Sequence, residues 1–217
     1  MKYIIGIDEV GRGPLAGPVT VCVVACESGL YKKLKRDKNL PVSGKDSKKL
    51  SHLDRKKYAE YLSACARLNL AENCGLKYEV IHVSNEVIDN KGISYAIKSA
   101  IKKGIEKLKI IHLLKIENCL GIGPWDLEFL LDGGLKAPIE FTNQRTIIKG
   151  DEKEKIIAWA SILAKVSRDK LMCKIAKKYS EYGFDIHKGY GTRKHQEAIK
   201  KHGLSEIHRK SFCKKYL

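Results

Sequence analysis

The chain has 217 residues, enough for one sizeable domain with a core of its own. Hydrophobic residues make up 43%, which is normal for a soluble globular protein. Against 25 acids stand 42 lysines and arginines, a net charge of +17, and this excess favours nucleic acid as the partner over a basic face used only for solubility or an anionic-membrane contact.

Tyr3 to Asp8 is apolar and β-branched and predicts a first strand, which ends in two adjacent carboxylates, Asp8 and Glu9. Burying a carboxylate is costly unless it is paired or metal-bound, so these acids either sit exposed at a strand end or carry something positive. Gly11, Gly13 and Gly17 with Pro14 and Pro18 then disfavour a helix, with the single cation Arg12 among them, and Val19 to Cys26 predicts a second strand buried on both faces. The run GRGPLA also fits a loose dinucleotide fingerprint. That fingerprint needs a helix N-terminus to receive pyrophosphate, whereas the next segment here is extended.

Tyr31 to Lys38 reads as a basic loop. Gly44 to Leu50 sets lysines around Ser47, either to hold backbone phosphates or as a solvated lysine run. Ser51 with Asp54 gives a capping-box pattern for a helix to about Ala66, with Tyr58, Tyr61, Leu62 and Cys65 inward. Leu68 to Tyr78 predicts a third strand, Val83 to Asp89 a short helix and Gly92 to Leu108 a longer one. His112 to Gly123 is open between helix, strand and loop. Asp126 to Leu131 predicts a buried strand ending in Asp132, Gly133 and Gly134, the acid-then-glycine ending of the first strand again, although Asp-Gly is also a plain turn signal.

Ile139 to Ile148 predicts another strand, followed by a long helix from about Glu152 to Ser180. Its small residues Ala158, Ala160, Ser161 and Ala164 let it lie close to a sheet. Asp151, with Glu154 three residues on, fits an N-cap as well as it fits a functional acid. His187 to Gln196 gathers cations and glycines around Tyr190 before a final short helix, an arrangement suited to a sugar–phosphate strand or to a solvated turn. The basic tail from Ile207 to Phe212 is expected to dock back through those two residues.

The seven cysteines form no CxxC pair and are odd in number, so they match neither a zinc site nor a disulfide framework and read as core residues in a reducing compartment. No signal-peptide pattern opens the chain, and its longest apolar run falls well short of the ~20 residues of a membrane span. The expectation is a cytoplasmic protein with no membrane contact and no obligate protein partner.

Four acids stand out by position: Asp8, Glu9, Asp132 and Asp151. Three lie at strand ends and one at a helix start, places that converge on one sheet edge in an α/β domain. On so basic a chain, gathered carboxylates suggest Mg²⁺ or Mn²⁺, hard cations that bind oxygen ligands, water and substrate phosphate. Two such ions about 4 Å apart would activate water and steady the leaving oxygen in phosphodiester cleavage.

The run GIDEVGRGPLAGPV, then DSKKLS, the DG strand end, KGDEKEKIIAWASILAKVSRD, HKGYGT and IHRKSF, in that order over nearly the whole chain, closely resembles ribonuclease HII, the type 2 ribonuclease H family. The resemblance implies a ribonuclease H-like fold: a five-stranded mixed sheet with flanking helices and a helical C-terminal region, all in one catalytic domain spanning residues 1–217. Residues from about 183 to 217 would complete the substrate-binding face. It further implies hydrolysis of the RNA strand of RNA–DNA hybrids and incision 5′ of ribonucleotides embedded in duplex DNA, leaving a 3′-hydroxyl and a 5′-phosphate.

The family's metal-binding acids fall on Asp8, Glu9, Asp132 and Asp151. Its GRG backbone, which reads the ribose 2′-hydroxyl, falls on Gly11, Arg12 and Gly13. Its junction-sensing tyrosine falls on Tyr190 and its phosphate-contacting pair on Ser47 and Lys48. Asp169 is a rival fourth acid, but along a continuous helix it would lie roughly 27 Å from Asp151, so a structural pairing with Arg168 or a lysine is expected. Lys109 to Pro124 departs from the family pattern, which leaves Asp126 as a fallback for Asp132, and the N-terminal extension of the type 3 enzymes is not expected. A DNA-only nuclease of the same fold and a non-enzymatic basic binder are the alternative functions.

Overall fold

Alternating and continuous apolar runs place five strands in one mixed sheet in the computed structural model, which describes residues 2–37, 50–68, 75–108 and 127–216. The strands are β1 (Tyr3–Val10), β2 (Val19–Glu27), β3 (Leu76–Val83), β4 (Leu127–Asp132) and β5 (Gln144–Ile147). Their order is β3-β2-β1-β4-β5; β1–β2 and β2–β3 are antiparallel, and β1–β4 and β4–β5 parallel. Ile7 pairs in register with Leu131, so Asp8 and Asp132 follow side by side at the carboxyl ends of two parallel strands.

Among the described residues the α-helices are α1 (Ser28–Leu34), α2 (His52–Leu68), α3 (Asn85–Lys91), α4 (Ile93–Lys107), α5 (Gly150–Lys153), α6 (Lys155–Ala176), α7 (Phe184–His187) and α8 (Arg193–His202). The period-2 alternation of β2 divides its apolar side chains between two cores. Val21 and Val23 pack with Ile97 and Ile101 of α4, while Cys22 and Val24 pack with Ile156, Trp159 and Ala160 of α6. A Cβ on Gly6 of β1 would stand 2.5 Å from the Ile156 carbonyl oxygen, so the bare glycine lets α6 press onto the central strand. A third cluster joins Ala16 and Met172 to Tyr182, Phe184 and Ile199 of the C-terminal helices.

Several expectations are corrected. Tyr31 to Leu34, expected to begin a basic loop, instead complete helix α1: the Glu27 carboxylate accepts the Gly29 and Leu30 amides at 2.9 Å, and Tyr31 packs edge-on against Trp159. The third strand is Leu76–Val83, later than expected, because its β-branched residues pair with β2. The expected strand over Ile139–Ile148 shrinks to four residues. The Gln144 side chain instead ties the preceding loop together, accepting from Ala137 N–H and donating to the Phe141 carbonyl, each at 2.9 Å.

The long helix is two helices, broken where Glu154 is extended (φ −120°, ψ 119°). Asp151 therefore lies inside α5 and caps neither helix; the N-cap positions belong to Lys149 and Glu154. Of the capping-box pattern at Ser51 and Asp54, the Asp54 amide donates to Ser51 Oγ at 3.1 Å, and the Ser51 hydroxyl donates to Asp54 Oδ2 at 2.7 Å. Tyr61, expected inward, is exposed and donates to Asp37. Cys22, Cys26 and Cys213 are buried and free, whereas Cys173 is exposed. No helix of the described residues is long and apolar enough to cross a membrane. Ser47, Lys48, Asp126 and the segments at His112–Gly123 and Lys109–Pro124 lie outside the described residues.

Candidate active site at the sheet edge

Asp8, Glu9, Asp132 and Asp151 line one cleft of ≈ 360 Å³, together with Arg55 of α2 and Ser161 and Lys165 of α6. The carboxyl ends of β1 and β4 deliver the first three acids. The fourth arrives through a local tie: Asp132 Oδ1 accepts the Gly150 amide at 2.6 Å and the Asp151 amide at 3.4 Å, which draws the start of α5 against the end of β4. A cleft of this kind, outside the carboxyl ends of parallel strands, is where open α/β sheets bind ligands. Three larger clefts, of ≈ 570, ≈ 580 and ≈ 560 Å³, bring no such group of acids together.

The electrostatics of the cleft are those of crowded like charges. Asp8 is only 5% exposed, and its carboxyl is held well above the usual range by burial and then by the charge of Glu9, with Asp132 adding. The Ser161 hydroxyl and the Glu9 amide, which donates at 2.7 Å, oppose that rise. Burial also raises Glu9 above the usual range, with Asp132 adding and Arg12 opposing. The Arg12 guanidinium lies 3.5 Å from Glu9 Oε1, and the buried Glu9 Oε2 has no partner among the described residues. As they stand, no three acidic, histidine or cysteine side chains among the described residues are grouped tightly enough to hold an ion by themselves. Three carboxylates that repel one another hold apart unless cations sit between them.

Asp169 is absent from the cleft lining; Lys165 Nζ lies 2.9 Å from its Oδ1, an ion pair off the angle of a hydrogen bond. The structural pairing expected for Asp169 is therefore with Lys165.

Beside the acids, the loop from Gly11 to Pro18 meets the Tyr190 turn. The Leu15 and Ala16 amides donate to the Gly189 carbonyl at 2.9 and 3.3 Å. Gly189 adopts φ 85°, and a Cβ there would stand 2.4 Å from the Ala16 carbonyl oxygen, so only glycine allows this approach. Tyr190 is 39% exposed, with the Arg168 guanidinium carbon 5.9 Å from its ring centre.

Two buried arginines fasten this assembly. Arg168 donates to the carbonyls of Pro18 (2.9 Å), Lys188 (3.0 Å) and Ala16 (3.3 Å). Arg209 donates to those of Gly17 (2.9 Å), Arg12 (3.0 Å) and Gly11 (2.7 Å). The tail docks as expected through the partly buried Ile207 and Phe212, but its most deeply buried members are His208 and Arg209.

Sequence reading misses Arg55, Lys165, Arg168 and Arg209 as site residues and takes Ser161 only as a small one. For α6 the signal was available: Ser161, Lys165 and Arg168 recur at helical spacing along the first half of the helix, where most other residues are apolar. For Arg209 there was none, because a basic tail looks the same whether its arginine is solvated or buried.

Comparison with solved structures places this architecture in a fold class. Ribonuclease H2 from Pyrococcus horikoshii superimposes with a TM-score of 0.64 at 23% identity, covering 99% of this chain and 96% of that one. Bst-RNase HIII in complex with Mn²⁺ superimposes with a TM-score of 0.64 at 16% identity, covering 93% and 63%. The mixed sheet with flanking helices is thus the ribonuclease H-like fold. The sequence narrows the class: the ribonuclease HII family model matches residues 5–215. Ribonuclease HII of Endomicrobium trichonymphae is 43% identical over 209 residues, covering 96% of this chain and 84% of the relative. The chain belongs to the ribonuclease HII family, endoribonucleases that hydrolyse RNA in RNA–DNA hybrids.

Proposed function

We propose that the acid cleft cuts the phosphodiester 5′ of a ribonucleotide, both in RNA–DNA hybrids and where a single ribonucleotide is embedded in duplex DNA. Such incision would open ribonucleotide excision during replication and repair. In the reaction water attacks phosphorus, the P–O3′ bond breaks, the upstream strand leaves as a 3′-hydroxyl and the phosphate stays on the 5′ carbon. The observation that carries this reading is a buried carboxylate cluster, on a chain of charge +17, directly beside a glycine-rich loop.

The cluster suits divalent cations: Asp8 is crowded by like charges and Glu9 Oε2 is buried without a partner. Asp8, Glu9, Asp132 and Asp151 would hold Mg²⁺ or Mn²⁺ through carboxylate oxygens, with substrate phosphate and water completing the shell. The bound ions would supply activation of water and stabilisation of the leaving oxygen. The protein's own part is placement. The Ser161 hydroxyl and the Glu9 amide oppose the rise that burial and like charge impose on Asp8, and the Gly150 amide fixes Asp132. The backbone of Gly11, Arg12 and Gly13 meets the ribose, and Tyr190 stacks on the neighbouring deoxyribose. The chain acts as one catalytic domain, with residues from about 183 onward completing the substrate face.

The test is a labelled DNA duplex carrying one ribonucleotide, incubated with Mg²⁺, with Mn²⁺ and with chelator, the cut being mapped to the nucleotide. Metal-dependent incision 5′ of the ribonucleotide is expected, with none in the all-DNA duplex. Asp8→Asn should lower the rate by more than the ~10–100-fold typical of changes outside a metal's direct ligands, while duplex binding persists. Equal cutting of the all-DNA duplex, or full activity in Asp8→Asn, would refute the assignment.

A further inference from the structure

Arg209 is completely buried, and among the described residues no carboxylate lies within ion-pair distance of it. Its three donating nitrogens are all spent on backbone carbonyls of a single loop: Gly17, Arg12 and Gly11. Keeping a guanidinium in such a place is expensive, and a fork that merely closed a turn could be replaced by an apolar side chain at lower cost.

The geometry of the peptide unit shows what the fork achieves. The chain has no cis peptide bond among the described residues. In a planar trans unit the C=O and the N–H of the following residue point in opposite directions. Drawing the Gly11 carbonyl inward onto Arg209 therefore turns the Arg12 N–H outward, and drawing the Arg12 carbonyl inward does the same for the Gly13 N–H. Neither amide has a hydrogen-bond partner among the described residues, and both residues are exposed. A Cβ built on Gly13 meets nothing within 4 Å, so the space beside Gly13 is open. Two adjacent backbone donors facing open space, with two desolvated guanidinium groups behind them, form a seat for an electronegative oxygen. Burial and the charge of Arg168 lower Arg209 only to about 10, so it stays cationic at neutral pH.

We propose that Arg209 is a positioning residue that aims the Arg12 and Gly13 amides at the sugar–phosphate of the substrate and thereby sets its discrimination of ribose from deoxyribose. The inference rests on the functional reading above. It assigns the selectivity of the loop to a side chain that touches no substrate.

Arg209→Lys keeps a cation at the position but not a planar fork able to span three carbonyls. Affinities are measured by fluorescence anisotropy on the full chain, with chelator present, for two duplexes that differ by one 2′-hydroxyl. The expected result is an unchanged circular-dichroism spectrum, binding of the all-DNA duplex within about twofold of wild type, and a ribo-to-deoxy preference reduced about tenfold. Wild-type preference in a folded Arg209→Lys, or equal weakening of both duplexes, overturns the positioning role. Should the variant not fold, ¹⁵N spectra of the wild-type chain decide. The Arg12 and Gly13 amides should shift with the ribonucleotide duplex and not with its all-DNA counterpart, and amides that ignore the hydroxyl overturn the proposal. A wild type that cannot tell the two duplexes apart removes the functional reading itself, and this inference with it.

Discussion

At the scale of single residues, exposure separates side chains that could touch substrate from those that hold others in place. Tyr190 and Tyr95 are comparably exposed, at 39% and 47%, but differ in setting. Tyr190 sits on a turn pinned to the Gly11–Pro18 loop, with Arg168 against its ring; Tyr95 lies on α4 with Lys91 over it. Stacking on a base is worth about 1–3 kcal/mol and a sugar offers a smaller face, so Tyr190→Ala should slow cleavage at a single ribonucleotide by roughly fivefold or more. Tyr95→Ala should leave it within about twofold. Steady-state rates on the one-ribonucleotide duplex check this, and equal effects would take Tyr190 out of the site. The acids carry a second lesson at this scale. The place of Asp8 and Glu9 near the end of β1 could be read from the sequence because acids seldom follow so apolar a run inside a strand. The role of Ser161 could not, because a serine among alanines on a helix reads as a small residue fitted to a close approach.

At the scale of elements, the C-terminal helices are joined through histidines rather than through apolar packing alone. The Ser205 amide donates to His208 Nδ1 at 2.9 Å, His208 and His195 meet through their Nε2 atoms at 3.1 Å, and His195 Nδ1 lies 2.9 Å from the Tyr190 carbonyl. One arrangement satisfies every contact: both rings are neutral, His208 donates to His195, and His195 donates to Tyr190. The His187 ring stacks on His195 at 4.4 Å. Burial lowers both His195 and His208 to about 4, the like charge of the neighbouring ring adding to the effect on each. Unfolded, these rings titrate near 6.5, so between that value and about 4 the unfolded chain binds more protons than the folded one. Stability should therefore be full above about pH 6.5 and fall as the pH drops toward 4. Each ring contributes at most on the order of 3 kcal/mol, and the two contributions are coupled. Urea midpoints across that range test this, with His208→Gln expected to flatten the slope. An unchanged slope would place the acid sensitivity elsewhere.

The elements also show where sequence reading reaches its limit. β1, β2, α4 and the capping box at Ser51 were legible because apolar period and local capping chemistry decide them. α1 was missed because its lysines suggested a loop, while the contact that orders it, Tyr31 on Trp159, spans 128 positions of chain. The β5 segment looked longer because Ile139 and Ile148 are β-branched, yet both are exposed, at 91% and 74%. Their propensity finds no neighbouring strand to reward it.

At the scale of the whole molecule, the charge of +17 is spread over a surface whose one described acid-rich cleft lies at the sheet edge. Duplex binding should then weaken steeply with salt. Each phosphate contact contributes about −0.9 to the slope of log K against log salt, so a slope steeper than about −3 is expected from titrations between 50 and 200 mM. A flat titration would show that the positive surface does not track the backbone. The cleft itself was foreseeable as a convergence of strand ends, because parallel β1 and β4 must finish at the same edge. The join between the loop and the tail was not, because it depends on packing between residues almost two hundred positions apart.

That join has a consequence for the order in which the enzyme becomes competent. Synthesis runs from the N-terminus, so the strands bearing Asp8 and Asp132 and the helix that backs them leave the ribosome before Arg209 does. Until Arg209 arrives, the Gly11, Arg12 and Gly17 carbonyls lack the guanidinium that turns them inward. A nascent chain could gather its acids early and still be blind to the sugar it is meant to read. Selectivity would switch on only once the segment carrying Arg209 has been laid against the Gly11–Pro18 loop.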